Sequence, residues 1–183
     1  MPARRRTHDS SCAATEDDTI WDTRRMSTPE RIEIQRTIAA PPEAIFAIVS
    51  DPEGHVTIDS TGMLMSSTGS APKAAGDTFV IHMDRESLGD FDLGKYDVTV
   101  VILTFEQERE ISWTIEGRLN IGHTYGYRLE PVDGGTLVTS FYDWSNISDE
   151  WKQAGIFPVI SELAVKATLG ILDRTVQRNL RAS

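Results

Sequence analysis

Seven short segments in which apolar and polar residues alternate, closed by one long amphipathic stretch from Ile156 to Arg181, constrain this chain more than any other feature. Strands that each have one apolar face must bury it against something, and the closing amphipathic stretch is the partner on offer. The expected class is therefore α+β, one sheet wrapped around one long helix. Such a wrap readily leaves an apolar space between the two layers.

The strands are expected at Arg31 to Ile38, Met63 to Thr68, Thr78 to Asp84, Lys95 to Phe105, Glu110 to Gly117, His123 to Pro131 and Thr136 to Trp144. Ala40-Pro41-Pro42-Glu43-Ala44 opens a short helix, because proline supplies the φ its first turn needs. Ser50-Asp51-Pro52 ends that helix and begins a second brief one. In the closing segment, Val165, Leu169, Leu172, Val176 and Leu180 form one apolar row, and Ile160, Leu163, Ala164, Ala167 and Ile171 a second, with Lys166, Arg174 and Arg178 toward solvent.

One hairpin has a predictable register. If Asp133-Gly134 is a two-residue turn, Val132 pairs with Gly135, and counting outward sets Leu129 opposite Val138, Tyr127 opposite Ser140, Tyr125 opposite Tyr142 and His123 opposite Trp144. These eight residues share one face, expected to line the cavity. A three-residue turn would turn one strand over.

At 183 residues the chain suits one core. Residues 1–28 lack periodicity and are expected to be a disordered tail, with translation beginning at Met26; residues 29–183 form the single domain. Five arginines (Arg4, Arg5, Arg6, Arg24, Arg25) balance five acids in the tail, so the net charge of -10 belongs to the domain. A domain that acidic, without a basic stripe, argues against nucleic acid and anionic membranes as partners. No stretch reaches the roughly 20 apolar residues of a membrane span, so no stable membrane insertion is expected, and a cytoplasmic location is. Cys12 is the one cysteine and the four histidines have no ligand spacing, so no metal and no cofactor are expected.

The segment from Ile38 through Ala40-Pro41-Pro42-Glu43-Ala44-Ile45-Phe46, then Ser50-Asp51-Pro52, resembles the opening of the START-like, Bet v 1-like (SRPBCC) superfamily. Glu130 to Thr136, Tyr142-Asp143-Trp144-Ser145 and the closing helix extend the resemblance over residues 30 to 182. Within that superfamily the chain is most similar to the bacterial polyketide cyclase/dehydrase-like branch. The resemblance implies a helix-grip fold, a seven-stranded antiparallel sheet curled around the C-terminal helix with two short helices after the first strand. Relatives bind lipids, polyketides or other apolar ligands, and a minority catalyse cyclisation or dehydration.

Three functions follow as expectations. The first is binding or carriage of a hydrophobic small molecule by a monomer or homodimer, with Phe79, Met83, Trp113, Tyr127, Trp144, Ile160, Leu163 and Ala167 around the ligand. Large aromatic surfaces with polar tips suit a flat apolar molecule needing one or two oriented hydrogen bonds. The second is a polyketide cyclase, dehydratase or isomerase, whose base and enolate-stabilising donor would come from His123, Tyr125 and Tyr142. His55 and Asp59, four apart near the end of the second short helix, form a weaker candidate pair, against which stands a plain capping role. The third is a protein-binding module. His82 and Asp84 alternate with Phe79, Ile81 and Met83 and belong on the solvent face. Ser87 to Lys95, with Gly89 and Gly94, is either a lid or a turn.

Overall fold

A computed structural model describes residues 29–89, 93–118 and 120–182. The expected tail, and part of the Ser87 to Lys95 loop, lie outside the described residues. Strand β1 (Arg31–Ile38) leads into helices α1 (Pro42–Val49) and α2 (Pro52–Ile58), then strands β2 (Leu64–Thr68), β3 (Thr78–Asp84), β4 (Lys95–Glu106), β5 (Glu110–Glu116), β6 (Thr124–Val132) and β7 (Gly135–Asp143). A short helix α3 (Asp149–Gln153) and a long helix α4 (Glu162–Ala182) complete the chain. All strand pairs are antiparallel, in the order β1-β7-β6-β5-β4-β3-β2. This is the helix-grip arrangement expected.

The β6–β7 hairpin has the predicted register, with Val132 opposite Gly135, Leu129 opposite Val138, Tyr127 opposite Ser140 and Tyr125 opposite Tyr142. Gly134 takes a φ of 84° in the turn. A Cβ on Gly135 would lie 2.1 Å from the Ile38 carbonyl oxygen, so only glycine lets the hairpin close against the end of β1. His123 falls one residue before β6 and is outside the ladder.

On the outer face, the Phe141 ring lies over Gly126, where a Cβ would come within 2.3 Å of it. The guanidinium groups of Arg31 and Arg128 stand 4.8 and 5.0 Å from the same ring centroid. Phe141 is thereby buried by cations on a face that faces water, with favourable ring–cation electrostatics. Also on the exterior, His82 lies between Thr68 Oγ1 at 2.9 Å and Asp97 Oδ1 at 2.7 Å, as a partly exposed cross-strand ladder.

The closing helix differs from expectation. It begins at Glu162, because Gly155 has a left-handed φ of 66° and Pro158 can neither donate a backbone hydrogen bond nor tolerate a helical residue before it. Ser161 supplies the start, its hydroxyl accepting from Ala164 N–H at 3.2 Å. Residues 154–161 form a strap across the sheet's open mouth, and Ile160 belongs to that strap.

The face of α4 differs too. Val165, Leu169, Leu172, Thr175 and Val176 are buried, whereas Leu163 is 75% exposed, Ala167 is exposed and Leu180 is 43% exposed. With two apolar rows available, tertiary docking chose one. Ser60 Oγ donates to the Ala164 carbonyl at 2.8 Å, Thr168 Oγ1 donates to Ser60 Oγ at 3.0 Å, and Arg36 pairs with Asp173 at 2.7 Å, fixing the helix's rotation.

Candidate functional site: a two-lobed cavity

Between the concave face of the sheet, α2, α4 and the strap lies a cavity of two lobes. The inner lobe, about 140 Å³, is walled by His55, Trp113, Tyr127, Tyr142, Val165 and Thr168 among others. The outer lobe, about 410 Å³, opens between the strap and the ends of β3 and β5. Met63, Met83, Val98, Ile115, Tyr125 and Ile160 line both, so they form the neck. A void of about 150 Å³ suffices for one benzene ring, which puts the inner lobe at single-ring size and the outer at bicyclic size or larger.

An aromatic ladder runs beside the cavity. Trp113 stacks near Tyr125 at 6.1 Å, Tyr125 lies on Tyr142 at 4.4 Å, and Tyr142 tilts against Trp144 at 4.9 Å. Strand alternation points these rings inward, and the hairpin register sets the two tyrosines opposite each other. Tyr127 is pushed up to about 12 by burial, with a hydroxyl contact to Ser140 pulling it back. Burial also raises Tyr125 and Tyr142 well above the usual phenol range, so both stay protonated.

The structure brings His123, Tyr125 and Tyr142 together. The His123 ring is met edge-to-face by Tyr125 at 5.1 Å, Tyr142 at 5.7 Å and Phe157 at 5.9 Å. Both its nitrogens are buried without a hydrogen-bond partner among the described residues, and burial lowers its pKa to about 4. The Tyr142 hydroxyl lies near the Tyr125 hydroxyl and the Val159 backbone without reaching hydrogen-bond geometry with either. A histidine lowered to about 4 is a weak base for taking a proton from a ligand at neutral pH, and scarcely protonated there to give one back.

His55 and Asp59 do not pair. The Asp59 carboxylate accepts from Thr61 N–H at 2.9 Å, Thr61 hydroxyl at 2.7 Å and Leu64 N–H at 3.0 Å, which ties α2 to β2. His55 packs 4.7 Å from Trp113 and 5.5 Å from Phe79. Burial lowers it to about 4, with the Val49 carbonyl partly offsetting that.

Of the expected ligand contacts, Met83, Trp113, Tyr127 and Ile160 line the cavity. Phe79 is filled core behind His55, and Trp144 packs with Tyr142 and Ile147 in a separate cluster under the strap. Leu163 and Ala167 point to solvent, since α4 docks through its other apolar row.

Arg85, Arg118, Met63 and the strap residues Ile156 and Val159 line the outer lobe and were not foreseen. Arg85 was accessible to sequence reasoning, because it continues the inward row Ile81, Met83 past the end of β3. It is 5% exposed and donates to the Val159 carbonyl at 3.1 Å. Among the described residues no group of His, Cys, Asp and Glu is arranged to hold a metal, and no helix is long and apolar enough to cross a membrane.

A curled antiparallel sheet gripping a helix around an apolar two-lobed cavity defines a helix-grip protein of the SRPBCC superfamily. The chain belongs to the polyketide cyclase/dehydrase and lipid transport family, whose model matches residues 29–182. Solved structures similar to it include a Chromobacterium violaceum protein at 17% identity, TM-score 0.59, covering 81% of this chain and 98% of the other. A Mycobacterium smegmatis protein matches at 18%, TM-score 0.59, over 82% and 92%. An AHSA1-like protein from Aeromonas hydrophila matches at 18%, TM-score 0.54, over 81% and 93%. At these identities the likeness concerns the fold. No curated protein matches in sequence.

Proposed function

We propose that this protein binds or carries a hydrophobic small molecule in the two-lobed cavity, without transforming it. The observation that carries this reading is the continuous apolar and aromatic neck joining an inner lobe of about 140 Å³ to an outer lobe of about 410 Å³. Walls of this kind favour burial of a ligand's apolar surface, at about 25 cal/mol per Å² removed from water. The chemistry of the side chains supports carriage over catalysis. Asp59 is committed to backbone and hydroxyl donors, and His123, lowered to about 4 by burial among aromatic rings, is a weak base.

A cyclase or isomerase is the second reading, favoured by one observation, the convergence of His123, Tyr125 and Tyr142. Native and denaturing mass spectra of protein from its own host, with titration of the neutral fluorophore N-phenyl-1-naphthylamine, test the first. Carriage predicts a released mass of a few hundred daltons or saturable fluorophore binding, weakened about tenfold or more when Val98→Phe fills the neck. The absence of both a released mass and fluorophore binding would overturn it. Turnover of a released ligand that His123→Phe abolishes would establish the second reading.

A further inference from the structure

The polar groups that this core leaves unsatisfied are not scattered. Among the described residues, four buried side-chain atoms have no hydrogen-bond partner: His55 Nε2, both ring nitrogens of His123 and the Tyr142 hydroxyl. All three side chains line the cavity, His55 and Tyr142 the inner lobe and His123 the outer. By contrast, Thr136 and Thr139, equally buried but away from the cavity, are bonded. Thr136 Oγ1 donates to the Ala40 carbonyl at 2.8 Å, and Thr139 Oγ1 accepts from Gln35 Nε2 at 3.1 Å. A buried polar atom left unpaired bears its whole desolvation cost, so orphans gathered on one cavity wall point to a partner that arrives through that cavity. His123 carries two of the four. Tyr125, Tyr142 and Phe157 meet its ring edge to face, leaving the outer lobe as the side from which a hydrogen-bonding partner can approach.

We infer that the ligand is an uncharged hydroxyl compound, a phenol or alcohol on an apolar body, whose hydroxyl lies against His123 in the outer lobe while its body extends toward the neck. The inference rests on the cavity reading above and names the ligand class for it. With its pKa lowered to about 4, the His123 imidazole is neutral at pH 7 and has one N–H donor and one lone-pair acceptor. A hydroxyl both donates and accepts, so it answers whichever nitrogen carries the hydrogen. A hydrocarbon leaves both nitrogens as they are. The rest of the outer wall, Met83, Val98, Ile115 and Ile160 included, is suited to the apolar body. A volume near three times that of a benzene-sized void accommodates a bicyclic phenol.

The experiment is equilibrium dialysis of the full chain at neutral pH against 2-naphthol and, separately, against 2-methylnaphthalene, which has a methyl group in place of the hydroxyl. Against a wall with no polar partner the methyl compound binds more tightly, because the hydroxyl gives up water and gains nothing in return. His123 should reverse that order, with naphthol bound about fivefold or more tightly. His123→Phe, which keeps a ring among Tyr125, Tyr142 and Phe157, should restore the methyl compound to first place. If that variant fails to fold, the ring nitrogen-15 resonances of His123 in the wild type decide, since naphthol should shift them far more than methylnaphthalene does. Equal affinities, a methyl-first order in the wild type, or a naphthol preference that survives His123→Phe would overturn the inference while leaving hydrophobic binding intact. Binding of neither compound would also overturn it, and the released mass and fluorophore binding, measured independently, then tell whether the cavity reading falls with it.

Discussion

The rings of Tyr125 and Tyr142 lie 4.4 Å apart and 7° from parallel, stacked across the β6–β7 ladder. The stack joins the cavity wall to the cluster of Trp144, Ile147 and Trp151, against which Phe157 of the strap packs. Tyr142 is fully buried. Tyr142→Ala should therefore cost about 3–5 kcal/mol, as truncation of a buried aromatic does. Tyr142→Phe should change stability by under about 1 kcal/mol, because its hydroxyl makes no well-formed hydrogen bond. Urea unfolding of both variants checks the pair, and a large loss in Tyr142→Phe would mean the hydroxyl is bonded after all.

Acid should destabilise the fold through its two buried histidines. His55 and His123 are lowered to about 4 from an unfolded value of 6.5, so between these limits the unfolded chain binds more protons. Their contribution is whole above pH 6.5, and is lost as pH falls toward 4. Each shift corresponds to about 3 kcal/mol at full extent. Denaturant midpoints measured across that window should fall, and His123→Phe, which keeps a ring among Tyr125, Tyr142 and Phe157, should flatten the slope. An unchanged slope would show that His123 titrates normally.

Gly126→Ala should destabilise the sheet by roughly 1–3 kcal/mol, the usual range for overpacking. Its Cβ would lie 2.3 Å from Phe141 Cζ and 2.8 Å from the Ile111 carbonyl oxygen, and the ring cannot retreat without leaving Arg31 and Arg128. Thermal unfolding would reveal the loss, and Gly126→Ala combined with Phe141→Leu should recover part of it.

The orientation of α4 can be tested by contrast. Leu172 is fully buried, so Leu172→Ala should cost about 2–5 kcal/mol. Leu163→Ser, on the exposed row, should stay within about 0.5 kcal/mol. Comparable losses from both would place the helix in a different rotation from that observed.

Much of the sheet is written locally. Period-2 alternation marks each strand, Pro41-Pro42 marks the start of α1, and Asp133-Gly134 sets the register that stacks Tyr125 on Tyr142. These features depend on neighbours a few residues away, so sequence alone determined them. The C-terminal segment shows where that stops. Its two apolar rows are equally periodic, and only docking through Ser60, Thr168 and the Arg36–Asp173 pair buried Leu169 and left Leu163 in water.

The site was legible in part for the same reason. Met83, Trp113 and Tyr127 follow from strand alternation, but the separation of His55 from Asp59 was set by Thr61 and Leu64, which claim the carboxylate once β2 pairs with β3. The wall formed by Arg85 and the strap arose only when the end of β3 met residues some seventy positions away in sequence, as Arg85 and Val159 are. Periodicity records which side chains share a face; tertiary structure decided what that face encloses, because burial, charge and hydrogen bonding are settled by whatever packs across it.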